Sequence, residues 1–222
     1  FSPLKREKGE AQHYCINELS CPPQQIGKIQ HFIGRKAMDI EGLGGETVGL
    51  LYKEGLLSNI ADLYDLKKEQ ILPIERMAEK SVANLLEGIE KSKAKPFAKV
   101  LFGLGIRYVG ETVAKKLAKE FKSIDRLAQA SLESLIHTEE IGDRIAQSVR
   151  EFAQDDYSKN LVRRLMNYGL QMELIEDPNA QISSELEGQT IIVSGKFHKI
   201  NRNDLKSLIE AHGAKVGNSI SK

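Results

Sequence analysis

A short pattern recurs four times in the middle of this 222-residue chain, and its regular spacing restricts the fold more than any other feature. Each copy has an apolar or small residue, two variable residues, an apolar residue, and then glycine or alanine. The copies read "IEGLGGETVGLL" from Ile40, "IERMAEKSVANLL" from Ile74, "IRYVGETVAKKL" from Ile106 and "TEEIGDRIAQSV" from Thr138. Their fifth residues are Gly44, Ala78, Gly110 and Gly142, at intervals of 34, 32 and 32. Such a repeat indicates tandem copies of one structural unit.

The residues after each fifth position predict a helix. Apolar or small residues recur four and seven places further on, which is the spacing of one helix face. They are Val48 and Leu51, Val82 and Leu85, Ala114 and Leu117, and Ala146 and Val149. We therefore predict that residues 28 to 168 are all helical, with short helices joined by tight turns. Ala37–Ile40, before the first turn, is also interpreted as helical.

Glycine in these turns suggests a chemical role. It permits positive φ and close approach of another molecule to the backbone. The first amides of the helix that follows have no intrahelical acceptor, and the helix dipole makes that end positive. A helix start of this kind can hold a phosphate without reading a base. A single copy is more simply explained as a plain helix–turn–helix corner, but four copies in near-constant register favour a shared function.

The four copies differ in charge. The third lies in the most basic window, because Lys91 to Lys122 contains nine Lys or Arg against Glu111 and Glu120. The first has the most open glycine turn but few nearby cations, and the second has Ala78 in place of glycine. The fourth carries Glu139, Glu140 and Asp143, which suit phosphate poorly. We rank the third and first copies above the second and fourth as phosphate-binding turns. The candidate contact residues are Gly42, Leu43, Gly44, Gly45, Arg76, Lys80, Arg107, Tyr108, Val109, Gly110, Glu111, Lys115 and Gly142.

The two cysteines, Cys15 and Cys21, lie in a short turn-rich segment. A tetrahedral zinc site generally needs four ligands, so two cysteines alone cannot complete one. Three interpretations remain open: free thiols, help from His13, or further ligands outside this chain.

Composition excludes several functional classes. The formal net charge of +1 gives no global basic signature, so a nucleic-acid partner requires local patches. The apolar runs are too short to span a bilayer and the polar N-terminus is not a signal peptide, so the expected location is the cytoplasm. The phosphate-binding loop GxxxxGK[ST] is missing from the sequence, and "GLGIRYVGE" follows a helical pattern and not the strand that a dinucleotide site requires.

The last forty residues follow a different pattern, after the polar linker "IEDPNAQISSE". "GQTIIVSGKF" predicts a buried strand, and "NRNDLKSLIEAHG" predicts a helix that is capped by Asn201 or Asn203 and stopped by Gly213. "AKVGNSI" predicts a second strand. Strand, helix and strand together indicate a parallel α/β unit.

"HYCINELSCPPQ", "HFIGRKAMDIEGLG" and "LFGLGIRYVGETVA", in that order, resemble the C-terminal half of the bacterial NAD-dependent DNA ligases. The repeated turn resembles the helix-hairpin-helix motif. The resemblance implies a mainly α fold of four tandem helix-hairpin-helix motifs, preceded by part of a four-cysteine zinc finger and followed by an incomplete α/β segment that resembles the start of a BRCT domain. The implied boundaries are 1–27, 28–172, a linker at 173–185, and 186–222.

The resemblance also implies ligands and partners. Cys15 and Cys21 match two of the four zinc ligands in the family's C-x2-C-x14-C-x5-C pattern, whose second cysteine would fall one residue before Phe1. The chain therefore resembles a piece of a longer protein. NAD and magnesium would be bound elsewhere in the parent enzyme, because the nucleophilic lysine's K-x-D-G motif is not in this sequence. The expected partners are nicked duplex DNA and the upstream adenylation and OB domains, in a monomer that acts in replication and repair.

Two other functions stay open from the sequence. The hairpins could serve protein contacts in a repair-complex scaffold, to which the acidic fourth copy and the BRCT-like tail would be suited. The chain could also be a subunit of a structure-selective nuclease, although the cysteine pair just before the hairpins disfavours this.

Overall fold

The computed structural model describes residues 3–6, 11–17, 20–75, 77–175, 183–195, 197, 200 and 202–217. The chain forms two compact units, Phe1–Leu174 and Ile175–Lys222. Within the described part, no helix is long and apolar enough to cross a membrane.

The first unit is almost entirely helical, which confirms the predicted fold class. Its helices are α1 Pro22–Ile33, α2 Gly45–Lys53, a 3-10 helix Ile60–Asp65, α3 Lys68–Ile71, α4 Glu79–Ser92, α5 Phe97–Gly103, α6 Glu111–Phe121, α7 Ile124–Gln129, α8 Leu132–His137, α9 Asp143–Gln154 and α10 Asp156–Asn167. A two-residue antiparallel ladder, β1 Leu4–Lys5 with β2 Tyr14–Cys15, precedes them.

The repeat is confirmed as a structural unit. Helices α2, α4, α6 and α9 each begin at the residue directly after the fifth position of a copy. The two apolar positions predicted on each of these helices are at most 1% exposed. We name the turns hairpin 1 (40–44), hairpin 2 (74–78), hairpin 3 (106–110) and hairpin 4 (138–142). Their helices share one hydrophobic core, since the buried residues from Ile29 to Met172 form a single cluster.

One helix prediction was wrong. Ala37–Ile40 is not helical, because α1 ends at Ile33 and the amides of Ala37 and Asp39 bond to the carbonyl of Gly34 in a compact turn. Ala37 and Met38 are fully buried, and Ile40 is nearly so. A short apolar run in a sequence is compatible with a buried turn as well as with a buried helix. Here the run forms a buried turn.

Polar contacts connect distant parts of the first unit. The Arg164 guanidinium of α10 donates to Asp62 and Asp65 of the 3-10 helix, both at 2.8 Å. The His31 ring of α1 lies 2.9 Å from the carbonyl oxygen of Phe102 in α5. These contacts hold the first and last helices of the unit against segments far away in sequence.

Tyr64 connects the 3-10 helix to α4. Ionisation of its phenol should make the free energy of unfolding depend on pH in the alkaline range. The Tyr64 hydroxyl lies 2.9 Å from the Oγ of Ser92, and burial raises the pKa of the phenol to about 12. The unfolded chain ionises at the ordinary pKa of 10.0, so the contribution of Tyr64 is fully present below pH 10 and is lost as pH rises toward 12. We expect the loss to be about 2 kcal/mol.

Tyr64→Phe should remove this loss, and urea unfolding at pH 9 to 12 measures it. Ser92 keeps a partner in the variant, because its hydroxyl donates to the carbonyl of Ile89 at 2.6 Å. An equal fall in the free energy of unfolding for both proteins would contradict the assignment.

The second unit has the predicted strand–helix–strand order, with β3 Thr190–Ile192, α11 Arg202–Ala211 and β4 Lys215–Gly217. The strands pair in parallel, with Ile191 opposite Val216. Gly213 follows the helix at φ +92, as predicted for a stop. Asn203 lies inside α11 and is therefore not its cap, while the other predicted cap, Asn201, lies outside the described residues.

Candidate nucleic-acid interface

In hairpins 1, 3 and 4 the third residue of the copy has a left-handed backbone conformation. Gly42 has φ +80, Tyr108 φ +64 and Glu140 φ +65. The corresponding residue of hairpin 2, Arg76, lies outside the described residues. In hairpins 2, 3 and 4 the fourth amide donates to the first carbonyl at 3.0 to 3.1 Å. A left-handed third residue with this bond is typical of a type II turn.

The glycine at the fifth position is not there for positive φ, and that part of the prediction was wrong. Gly44, Gly110 and Gly142 have φ of −94, −79 and −86, which every residue type adopts. Ala78 has nearly the same conformation at φ −80. The sequence pattern could not separate the third position from the fifth, because hairpin 1 has glycine at both.

Packing does not require glycine at the fifth position either. A Cβ atom built on Gly44, Gly110 or Gly142 would have no described heavy atom within 4 Å. The three glycines therefore leave open space above the first turn of α2, α6 and α9. Approach of an outside group to the bare backbone is a physical reason for glycine that remains once conformation and packing are excluded.

The starts of these helices also differ from others in the same unit. Glycine and alanine have no side-chain acceptor, so Gly44, Ala78, Gly110 and Gly142 leave the first helical amides uncapped. By contrast, the side chains of Asn59, Ser123, Ser131 and Asp155 cap the helices that follow them. All four helices of the repeat start uncapped, as do α1, α3 and α5, which lie outside the repeat turns. Each start in the repeat offers N–H donors and a partial positive charge to an anion.

The two glycines of hairpin 1 have separate roles. Gly42 lies against α4, and a Cβ there would be 3.1 Å from the amide nitrogen of Leu85. Gly44, two residues later, is open. The side chains of Leu43 and Val109 are buried, so these two predicted contact residues can offer only backbone groups to a ligand.

Cations from three segments meet near the start of α6. Lys115 hydrogen-bonds the carboxylate of Glu111 at 3.1 Å and lowers its pKa, and Lys99 and Lys36 lower it further. Lys99 of α5 also donates to the carbonyl oxygen of Lys36 at 2.8 Å, which brings the approach to hairpin 1 beside hairpin 3. Lys36 was not among the predicted contact residues, since no feature of its local sequence indicates this neighbourhood.

Ion pairs reduce the free positive charge of the basic window. At least five of its lysines pair with carboxylates: Lys91 with Glu87, Lys93 with Glu90, Lys95 with Asp39, Lys115 with Glu111, and Lys116 with Glu139 and Glu140. Most of the partners are exposed, so each pair contributes little to stability. The pairs still place acidic groups among the cations that a phosphate would meet.

Hairpin 4 is less acidic in the structure than its sequence suggests. Lys116 of α6 lies 2.8 Å from Glu140 and 3.3 Å from Glu139, and the hydrogen bond to Glu140 raises the pKa of the lysine. Two of the three acidic groups that counted against this copy are therefore partly neutralised by a helix of the preceding copy. Asp143 remains at the start of α9, next to Gly142.

Hairpin 2 has no glycine in its turn, so a Cβ atom covers the backbone at its fifth position. Ala78 precedes α4, and Glu79 at the start of that helix forms an ion pair with Lys68 at 3.0 Å. Lys80 is exposed in the first turn of the helix.

The cysteine pair lies beside the start of α1. The backbone amide of Gln24 hydrogen-bonds Cys21 and lowers the pKa of its thiol, and the Cys15 thiol is close enough to contribute a weaker hydrogen bond. The Gln24 side chain donates to the carbonyl of Cys15 at 3.2 Å. Among the described residues no third His, Cys, Asp or Glu joins them. The arrangement fits two corners of a tetrahedral zinc site.

Two family descriptions match parts of the chain. Residues 2–22 match the NAD-dependent DNA ligase C4 zinc finger domain. Residues 99–162, which include hairpins 3 and 4, match the helix-hairpin-helix motif. The two matches fall on the cysteine pair and on the repeat, in the order expected from the sequence.

Curated relatives match the whole chain. The DNA ligase of Flavobacterium johnsoniae is 59% identical over 98% of this chain and 33% of its own length. The DNA ligase of Christiangramia forsetii is 59% identical over 99% of the chain, and that of Phocaeicola vulgatus is 51% identical over 99%, each across 33% of the relative. The chain thus spans about a third of the length of the curated relatives it matches.

Proposed function

Since this chain belongs to the NAD-dependent DNA ligase family, we propose that it holds duplex DNA, without reading sequence, for an enzyme that joins 5′-phosphate and 3′-hydroxyl ends at nicks. The observation that carries the proposal is the set of open glycines at uncapped helix starts, Gly44, Gly110 and Gly142. Neither backbone conformation nor packing accounts for them, whereas a phosphate held by amides does.

Hairpins 1 and 3 are proposed as the main contacts. Lys36 and Lys99 lie near Glu111 at the start of α6 and add positive charge beside the amides at Gly110. Lys115 can exchange its bond to Glu111 for a phosphate, since their ion pair is at the surface. Amides and lysines contact the DNA backbone alone, so affinity should be independent of sequence.

Zinc is proposed as the metal of the finger segment. Cys15 and Cys21 would supply two thiolates, and zinc would hold together a segment whose described residues form a two-residue ladder. The other two zinc ligands and the nucleophilic lysine would lie elsewhere in the parent protein. NAD and magnesium would also be bound there. The 222-residue chain on its own should therefore not join DNA ends.

The remaining assignments rest on the family. Residues 1–27 would be the finger, 28–172 the helix-hairpin-helix domain, 173–185 a linker and 186–222 the start of a BRCT domain. The parallel strand–helix–strand order of the second unit is consistent with the last of these. We also propose that the parent protein is a cytoplasmic monomer of replication and repair, whose adenylation and OB domains close on the DNA together with this segment.

Affinity for a duplex should fall steeply with salt. Each phosphate contact releases counterions, so a plot of log K against log salt should have a slope of about −0.9 per contact. Fluorescence anisotropy of a labelled duplex between low and moderate salt measures the slope. Two duplexes of unrelated sequence should give the same affinity, which serves as the control. If no salt-dependent affinity is found, a scaffold that binds proteins becomes the better interpretation.

A further inference from the structure

Tyr14 of the finger segment contacts Arg107 of hairpin 3. The guanidinium carbon of Arg107 lies 4.8 Å from the centre of the Tyr14 ring and 4.9 Å from the centre of the Tyr108 ring. Both distances are within the range of cation–π attraction. The charge of Arg107 therefore lies beside two aromatic rings, one from the finger segment and one from its own hairpin.

Both rings have defined positions. Tyr108 has a left-handed φ of +64, which fixes the direction of its side chain from the turn. Tyr14 pairs with Lys5 in the β1–β2 ladder, and its hydroxyl donates to the Oε1 of Gln12 at 3.1 Å. The next residue, Cys15, is bound through its carbonyl to Gln24 of α1. The Tyr14 side chain is thus restrained by contacts with the finger segment and α1 that do not involve hairpin 3.

The geometry points to Tyr14 as a positioning residue for Arg107, through which the finger segment strengthens DNA binding by hairpin 3 without touching DNA itself. The inference rests on the proposed function. A long, flexible arginine loses rotamer freedom when it binds a phosphate. A ring that already restrains the guanidinium reduces that loss before DNA arrives.

The test is a double-mutant cycle on the whole chain, with duplex affinity measured by anisotropy at several salt concentrations. Tyr14→Ala should weaken binding by about threefold to fivefold. Tyr14→Phe should bind like the unmodified protein, since the ring face remains. In an Arg107→Ala background, Tyr14→Ala should have no further effect.

The salt slope separates positioning from direct contact. Arg107→Ala should reduce the slope by about one contact, because a charge is lost. Tyr14→Ala should leave the slope unchanged while the affinity falls. Arg107→Lys keeps the positive charge of hairpin 3 but stacks poorly on the Tyr14 ring. In this Arg107→Lys background, Tyr14→Ala should therefore reduce duplex affinity less than it does when arginine is present.

Some outcomes would overturn this inference but leave the proposed function intact. Additive losses for Tyr14→Ala and Arg107→Ala would show that the two residues act independently. So would full affinity for Tyr14→Ala, or a Tyr14→Phe variant as weak as Tyr14→Ala. If the unmodified protein does not bind the duplex at any salt concentration, the proposed function itself fails and the inference fails with it.

Discussion

Gly110→Asp is expected to weaken duplex binding by about tenfold to a hundredfold while leaving the protein at least as stable as before. Aspartate is a favoured N-cap, and its carboxylate would accept bonds from the first amides of α6. Those amides are the donors that we propose for the phosphate, and the added negative charge would repel it. Open space around Gly110 and its ordinary φ of −79 mean that the folded state can accept the side chain.

The measurements are duplex anisotropy at fixed salt and urea unfolding. We expect the free energy of unfolding to rise by a few tenths of a kcal/mol, because aspartate caps a helix slightly better than glycine does. Gly44→Asp should behave in the same way at hairpin 1, and the double variant should bind more weakly than either single one.

Ser131→Asp is the matched control. Ser131 caps α8, lies outside the hairpins and is exposed, so the substitution adds the same charge at the same kind of helix position. It should change duplex affinity by less than about twofold, since a single exposed charge away from the contact is largely screened. If Gly110→Asp binds as tightly as Ser131→Asp, the open helix start is not a phosphate site.

Gly88→Ala is expected to lower the free energy of unfolding by about 1 to 3 kcal/mol, the usual effect of overpacking. Gly88 is buried in α4, and a Cβ there would overlap the carbonyl oxygen of Glu41 at the entry to hairpin 1. That oxygen belongs to the backbone, so relief requires the hairpin and the helix to move apart. Gly42, which follows Glu41 in the sequence, also packs against α4, at Leu85.

Gly49→Ala, the same substitution in α2, should have the opposite effect. A Cβ at Gly49 would have no described heavy atom within 4 Å. Alanine should therefore stabilise the helix by about 0.5 to 1 kcal/mol, the ordinary difference in helix propensity. For a chain of this size the two variants should differ in melting temperature by several degrees, at about 2 to 4 °C per kcal/mol. Equal melting temperatures would rule out the close approach of hairpin 1 to α4.

The sequence by itself predicted the repeat, its four helix starts and its core. Residues such as Val48 and Leu117 could be recognised because a helix places every third or fourth residue on one face, and that periodicity is local. The strand–helix–strand order of the second unit was predictable for the same reason. The cysteine pair and the quoted motifs were also sufficient to predict the family.

Only the tertiary structure distinguished the roles of similar residues. Gly42, Gly44 and Gly88 are alike in sequence, yet one has a left-handed φ, one faces open space and one has no room for a methyl group. The contact of Lys99 with Lys36 and the stacking of Tyr14 on Arg107 join residues far apart in the chain. These roles depend on what another segment places beside a residue, and local periodicity carries no information about that neighbour.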